Sequence, residues 1–247
     1  MNSLTQFILV LVALGHIVLL KNPGDLSVHE TIYRQGFDSL KSVHDFNYTN
    51  PEIWDFSPIG DTSGVLEFNG PSIYQPPVVR SPATIGLITN YVFSDFRLDL
   101  DFKHTRNVLG NRSLCVFFNF QNPAEYYYVE ISEQYSPQTH NIFIVDNRPP
   151  RGIGTGVNRV VNWSDSEWHR VRVERSVAFG VIKVYVDDME TPIMQAEDVS
   201  FGTGYIGFGA FDDSGMIDNV SVRAPYAMNS KQAIFKKKEL DLTGLLK

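Results

Sequence analysis

Three carboxylates in the middle of the sequence are the residues best suited to acid/base chemistry. Asp99 and Asp101 stand two positions apart in DFRLDLDFKH, so a strand would place both on one face, about 7 Å apart. Glu130, in EYYYVEIS, would join them if its strand were a neighbour. Carboxylates grouped in this way can serve as general acid and base. The alternative is a solvated polar face on which Arg97 and Lys103 neutralise the two aspartates.

A second group of candidates combines tyrosines with a histidine. Tyr126 and Tyr128, together with His140 in QTHNIF, have the chemistry of an acid, a base or a sugar platform. In the alternative, Tyr127 belongs to the core and the other two tyrosines pack beneath loops. We assign as candidate catalytic residues Asp99, Asp101, Glu130 and His140. We assign as candidate ligand-binding residues Arg97, Asn119, Tyr126, Tyr128 and Arg148.

The elements that would position these residues are short β-strands. Aromatic and β-branched runs are separated by Gly, Pro, Asn and Asp, and only the tail, over about 230–242, shows helical periodicity. The segment 146–166 is a long loop, and its GIGTG is followed by no helix that would bind phosphate. The predicted strands are 63–68, 84–89, 95–104, 113–120, 125–132, 141–146, 169–175, 181–187, 204–211 and 217–222.

Alternation within the strands gives the fold class. Leu98, Leu100 and Phe102 share one face of their strand, and in HRVRVER the residues Val171 and Val173 do the same. One apolar face per strand, repeated at this spacing, predicts an all-β fold: a two-sheet antiparallel β-sandwich of the jelly-roll type.

Composition narrows the classes of function. The 247 residues suffice for one large domain, and a net charge of −7 argues against a nucleic-acid binder, which would carry a basic surface. The single cysteine, Cys115, cannot form an intramolecular disulfide, and its apolar neighbours indicate a buried, inert thiol. The six histidines show no zinc-binding spacing.

The two ends of the sequence differ from the middle. Residues 1–30 contain an apolar run, Phe7 to Leu20, which is read as a cleaved signal peptide, an uncleaved membrane anchor or a folded segment, followed by a linker. A signal peptide or a membrane anchor would place the domain, residues 31–224, outside the cytoplasm, either secreted or in the cell envelope. Residues 225–247 form a basic tail with a predicted helix. N-x-S/T sequons stand at Asn47, Asn111, Asn162 and Asn219.

The order of several weak motifs resembles that of one superfamily. WHRVRVER, a short turn and IKVYVDD resemble the central hairpin of laminin-G-like domains, and YIGFGAFDDSGMIDNVSV resembles their last two strands. GFDSL and IWDF resemble their opening. Over about 31–224, the sequence is therefore similar to the concanavalin A-like lectin and glucanase superfamily, including secreted 3-keto-disaccharide hydrolase-type domains.

The resemblance implies a glycan partner and, in related jelly rolls, a Ca²⁺ ion near the last strand. It assigns Asp218 to the ion, with Asp38 in GFDSL as a nearby second ligand. The E-x-D-x-(x)-E motif of the glucanases is absent. The Arg-rich strand HRVRVER resembles that of jelly-roll lyases less well than it resembles the laminin-G hairpin.

Three functions remain open on the sequence. The first is a secreted or envelope glycan-binding domain without catalysis, binding an oligo- or polysaccharide. The second is a glycoside hydrolase or polysaccharide lyase that uses the carboxylates, Tyr128 or His140. The third is a structural or adhesive envelope domain. The enzyme hypothesis requires that Asp99, Asp101 and Glu130 converge on one cleft.

Overall fold

The computed structural model describes residues 10–13, 16–19, 30–105, 112–156, 159–230 and 232–235, and nearly all regular structure in them is β. Short 3₁₀ helices span Leu40–Asp45, Pro51–Ile53 and Trp163–Asp165. The strands are β1 Val10–Ala13, β2 His16–Leu19, β3 Thr31–Gln35, β4 Phe46–Tyr48, β5 Trp54–Ile59, β6 Ser63–Asn69, β7 Thr84–Ile88, β8 Tyr91–Val92, β9 Phe96–His104, β10 Ser113–Asn122, β11 Glu125–Ser132, β12 Asn141–Asp146, β13 Arg151–Gly152, β14 Gly154–Thr155, β15 His169–Ser176, β16 Val181–Val186, β17 Met194–Glu197, β18 Tyr205–Ala210, β19 Ser214–Arg223 and β20 Met228–Asn229.

Two antiparallel sheets form the sandwich. One is seven-stranded, in the order β13-β12-β11-β10-β18-β7-β4. The other is nine-stranded, in the order β14-β17-β16-β15-β9-β19-β6-β5, with β3 paired to the second half of β19. Two-stranded ribbons join β1 to β2 and β8 to β20. The predicted all-β sandwich is confirmed.

The core lies between the sheets. Val116 and Val129 from the seven-stranded sheet and Leu100 and Val173 from the nine-stranded sheet belong to one buried cluster. The side chains predicted from alternation to face inward do so, because successive residues of a strand point to opposite faces.

The outer face of the seven-stranded sheet is also buried. Cys115, Phe117, Tyr126 and Tyr128 form a second apolar cluster there with Val78 from the segment that precedes β7 and Phe235 from the C-terminal segment. The Phe235 ring meets Phe120 edge-on at 5.9 Å, and its backbone amide donates to the side chain of Asn47. This sheet therefore has no open apolar face on the strands that bear the tyrosines.

The two ends lie largely outside the described residues. Of the apolar run Phe7 to Leu20, the structure describes β1 and β2, and of the proposed tail helix it describes residues 230 and 232–235, which are not helical. Among the described residues, no helix has the length and apolar character needed to cross a membrane.

Candidate functional site

Asp99 and Asp101 lie on the outer face of the nine-stranded sheet and are held by neighbouring strands. Arg172 donates from Nε to Oδ1 of Asp99 at 2.8 Å, and the Nη2 of Arg170 lies 3.5 Å from the same oxygen. Asn219 donates to Asp101 at 2.8 Å. The partners are thus not Arg97 and Lys103, the pair that the sequence suggested.

Arg97 is engaged elsewhere on the same face. It pairs with Glu174 at 2.6 Å, and the Tyr185 hydroxyl donates to the other oxygen of Glu174 at 3.2 Å. Arg172 stands opposite Tyr185, and Glu174 opposite Lys183, in the hairpin of β15 and β16. The acidic and basic residues of this face therefore form a lattice of cross-strand pairs.

Glu130 is on the other sheet and points away from Asp99. Its neighbours Val129 and Ile131 are in the core, so Glu130 faces outward from the seven-stranded sheet. Asp99 faces outward from the nine-stranded sheet. Because the whole sandwich separates them, the proposed set of Asp99, Asp101 and Glu130 does not converge, and that catalytic hypothesis is wrong.

Glu130 instead belongs to a buried polar network. Oδ2 of Asp213 accepts from the backbone and hydroxyl of Ser113 at 3.0 and 3.1 Å, and its Oδ1 lies 3.1 Å from Nε2 of His104. Burial raises the pKa of Glu130 to about 8, and the charge of Asp213 adds to the effect while Ser113 opposes it. Glu130 is 4% exposed, so its protonated carboxyl lies inside the protein and away from solvent.

The other residues predicted to bind ligand are Tyr126, Tyr128, Asn119 and Arg148, and all but Arg148 are buried. Tyr126 and Tyr128 are buried in the second cluster, where Tyr128 stacks on Phe143 at 4.8 Å. Asn119 is fully buried and accepts from Arg175 at 3.1 Å. Arg148 is exposed in the turn after β12. The alternative for the tyrosines, packing beneath other segments, is the one that the structure supports.

His140 is fully buried and acts as an anchor for the backbone. Its Nδ1 accepts from the Ser132 amide at 2.9 Å, which assigns the proton to Nε2. Burial lowers its pKa, although backbone groups of Arg159 and Ser132 oppose the effect. A buried neutral imidazole with one nitrogen occupied by the backbone is a structural group and not an acid/base catalyst in a cleft.

Asp38 and Asp218, the residues that the resemblance assigned to calcium, lie within electrostatic reach of one another. Burial raises the pKa of Asp218, and the negative charges of Asp101 and Asp38 raise it further. Such mutual repulsion is what a hard cation relieves. Across the part of the chain that the structure describes, however, no three acidic, histidine or cysteine side chains converge closely enough to hold a metal ion.

A pocket of about 280 Å³ lies where β15 begins and β16 ends, against the loop that precedes the Trp163–Asp165 turn. Its apolar side chains include three that are nearly buried: Val161, Val186 and Ile193. Its polar side chains are Arg159, Asn162, His169, Asp187 and Asp188. Of its apolar side chains only Val160 is well exposed, so the accessible lining of this pocket is more polar than apolar.

Backbone contacts fix the loop that carries Arg159 to Asn162. The Arg159 amide donates to the Ile193 carbonyl at 3.3 Å, and its guanidinium donates to the Thr191 carbonyl at 3.0 Å. The buried ring of Trp163 anchors the following turn through its donation to the Ile131 carbonyl at 2.9 Å. The side chain of Asn162 caps that turn by accepting from Ser164.

Two consecutive aspartates, Asp187 and Asp188, follow β16 and line the pocket. Asp187 adopts a left-handed conformation, φ 59°, and accepts from the Arg170 amide at 3.0 Å and from His169 at 2.8 Å. Asp188 accepts through Oδ1 from the Glu190 and Thr191 amides at 2.9 and 3.2 Å, and these bonds lower its pKa. Its Oδ2 stands 3.9 Å from Nη2 of Arg159.

The distance between the Arg159 guanidinium and the Asp188 carboxylate determines which ligand group can bind to both. At 3.9 Å the guanidinium and the carboxylate are too far apart for a direct hydrogen bond. A hydroxyl group between them can accept from the one and donate to the other. None of the candidate residues predicted from the sequence lines this pocket. The one local signal for it in the sequence is the pair Asp187-Asp188 at the end of the hairpin motif IKVYVDD.

Comparison with known proteins supports the fold assignment. No protein-family model and no curated protein sequence matches this chain. Among solved structures, the carbohydrate-binding module CBM66 from Bacillus subtilis is similar, with a TM-score of 0.52 and 15% identity over 73% of this chain and 96% of that one. A Bacillus subtilis protein of unknown function with a galectin-like fold aligns with a TM-score of 0.51 and 15% identity, over 82% and 97% of the two chains.

A third similar structure is the GH43 protein BlXynB from Bacillus licheniformis. It has a TM-score of 0.50 and 12% identity, and the match covers 77% of this chain but 39% of that one. Identities this low establish the fold and nothing finer. The chain has the concanavalin A-like β-sandwich fold, as the order of motifs in its sequence predicted.

Proposed function

We propose that this domain binds glycans without catalysis, and that the sugar enters the pocket between Arg159 and Asp188. The observation that carries the proposal is the pair of polar groups in that pocket: a guanidinium and a carboxylate 3.9 Å apart that can bind sugar hydroxyls, beside the exposed apolar side chain of Val160. The similarity to a carbohydrate-binding module supports the same reading at the level of the fold.

The charges of the pocket favour a neutral sugar. Asp187 and Asp188 are balanced by Arg159 and by His169 when it is protonated, so the pocket has no excess charge to attract an ionised sugar, while every hydroxyl of a neutral sugar can both donate and accept. The volume of about 280 Å³ is at the lower limit of ligand pockets, so we propose that a terminal sugar unit binds there. We further propose that the domain works outside the cytoplasm, as the apolar run Phe7 to Leu20 predicts when it is read as a signal peptide or an anchor.

A pair of variants tests the pocket. In Asp188→Asn, the amide oxygen keeps the turn contacts to Glu190 and Thr191, but the charge that accepts the sugar hydroxyl is lost. We expect the affinity for the best ligand of a glycan array, measured by calorimetry, to fall about tenfold, the effect of one hydrogen bond to a charged group. Arg159→Gln should act similarly.

Asp61→Asn is the matched control, because Asp61 is an exposed acid in the turn between β5 and β6. It should bind like the unmodified protein. No binding to any glycan by a folded sample would contradict the proposed function, and equal binding by Asp188→Asn, Arg159→Gln and the control would contradict the proposed site.

We also propose that calcium binds beside Asp218, with Asp38 as a second ligand and backbone carbonyls, as in related jelly rolls, supplying the ligands that side chains do not. At an ion concentration about 10–100 times the dissociation constant, binding to the folded state alone would add about 1.5–3 kcal/mol of stability. For a domain of this size we expect a rise in Tm of about 3–10 °C. Magnesium at equal concentration should give a smaller rise, and Asp218→Asn should abolish the response. An identical Tm with and without calcium would remove the ion from the account.

A further inference from the structure

His169 makes two contacts that require two protons on its ring. Nδ1 lies 2.8 Å from Oδ2 of Asp187, and Nε2 lies 3.1 Å from Oδ1 of Asp165. An ionised carboxylate only accepts hydrogen bonds, and a neutral imidazole has a single N–H to donate. Both contacts are therefore satisfied at once only by the doubly protonated imidazolium.

The groups around this ring decide its charge. Asp165 faces it from the 3₁₀ turn, Asp187 faces it from the end of β16, and the ring of Trp163 meets it edge-on at 5.1 Å. Arg159 and Asp188 line the same pocket and oppose each other in sign. Burial lowers the pKa of His169, but the hydrogen bonds and charges of Asp187 and Asp165 outweigh it and leave the pKa raised.

The position of His169 connects the two sides of the pocket. Asp187 has a left-handed backbone conformation, which aspartate tolerates better than most residues, and its side chain is held by the Arg170 amide and by His169. Asp165 ends the turn whose first position is capped by Asn162, a pocket residue. The imidazolium thus joins Asp187, on one rim of the pocket, to the 3₁₀ turn that follows Asn162, on the other rim.

We propose that His169 is a positioning residue that holds the pocket in its binding geometry while it is doubly protonated, so that ligand affinity falls as pH rises and the ring loses a proton. This inference rests on the proposed glycan site. On deprotonation, one of the two carboxylates loses its donor, and the two rims lose their connection. The titration lies within reach of physiological pH, since histidine alone among side chains titrates there in its ordinary state.

The Asp165→Asn variant tests the proposal without changing a residue that lines the pocket. The new amide side chain keeps an oxygen for Nε2 of His169, but the charge that favours the imidazolium is gone. ¹⁵N NMR of the His169 ring and calorimetric glycan binding are followed between about pH 5.5 and about pH 8.5, a range that brackets ordinary histidine titration. Over this range the affinity of the unmodified protein should fall about tenfold, the loss expected for one charge-assisted hydrogen bond.

In Asp165→Asn, the midpoints of ring titration and of binding should move together to lower pH. His169→Gln should bind weakly and without a histidine-like pH dependence. A singly protonated ring at about pH 5.5, or binding midpoints that do not follow the ring in the two proteins, would overturn the proposal. If no glycan binds at all, the proposed function fails, and the NMR titration still decides whether His169 is an imidazolium that moves the amides of Asp187 and Asp188.

Discussion

Replacing Glu130 by glutamine is expected to make the domain more stable at alkaline pH and to flatten the dependence of its stability on pH. The pKa of this carboxyl is raised from 4.5 to about 8 in the folded protein, chiefly by burial and then by the charge of Asp213. Between these two values the unfolded chain releases the proton while the folded protein keeps it. The contribution of the Glu130 carboxyl to stability is therefore fully present below about pH 4.5 and declines as pH rises to about 8.

The expected size of the effect is large. A pKa difference from 4.5 to about 8 corresponds to at most about 5 kcal/mol, which is a substantial part of the stability of an ordinary domain. Glutamine has the shape of the protonated side chain and can donate a hydrogen bond as it does. Urea unfolding curves recorded from about pH 5 to about pH 9 measure the slope that the substitution should remove.

Glu125→Gln is the matched control for this experiment. Glu125 begins the same strand but is partly exposed, and it accepts from Asn122 at 2.6 Å and from Asn147 at 3.0 Å. Its substitution should leave the alkaline decline in stability in place. Parallel curves for Glu130→Gln and the unmodified protein would mean that Glu130 is ionised in the fold.

The second large effect is expected at Arg175, whose guanidinium is fully buried between loops. It donates to Asn119 at 3.1 Å and to the carbonyls of Gly180, Asp198 and Phe201 at 2.8, 2.9 and 3.0 Å. It also lies 5.2 Å from the centre of the Tyr127 ring. Methionine would fill most of the space but leave these acceptors unpaired in the interior.

We expect Arg175→Met to lower the free energy of unfolding by about 3–5 kcal/mol, as for other buried charged groups that are removed from their partners. Arg170→Met is the control: that side chain is half exposed, and its contact to Asp99 is 3.5 Å long, so the loss should stay below about 1 kcal/mol. Urea unfolding measures both losses of free energy, provided that its dependence on urea concentration is the same in the variants and in the unmodified protein. Equal losses for the two variants would show that the buried network adds nothing beyond a surface ion pair.

Much of the fold was predictable because strand periodicity is a local property. Leu98, Leu100 and Phe102 could be assigned to the core from alternation alone, and so could Val171 and Val173. Alternation gives the face of a strand, but it does not tell which sheet the strand joins. Asp99 and Glu130 therefore looked like neighbours although they lie on opposite sides of the sandwich.

The candidate site was predicted wrongly because segments that are distant in sequence determine which side chains are exposed there. Tyr126 and Tyr128 do point away from the core between the sheets, but Val78 and Phe235, which are remote in sequence, cover them. The pocket is assembled from the loop 159–162, the start of β15 and the segment 186–193, and no single stretch contains its pattern. Only the register that brings Asp187 beside Arg170 and His169 reveals it.

The most direct test of the central claim is an NMR titration of the ¹⁵N-labelled domain with the neutral glycan that binds best on an array. The account predicts saturable shifts of the backbone amides of Arg159, Asn162, Asp187 and Asp188, with little change on the outer face that carries Asp99 and Asp101. Shifts centred on that outer face, or a saturating glycan that leaves the pocket amides unmoved, would contradict it.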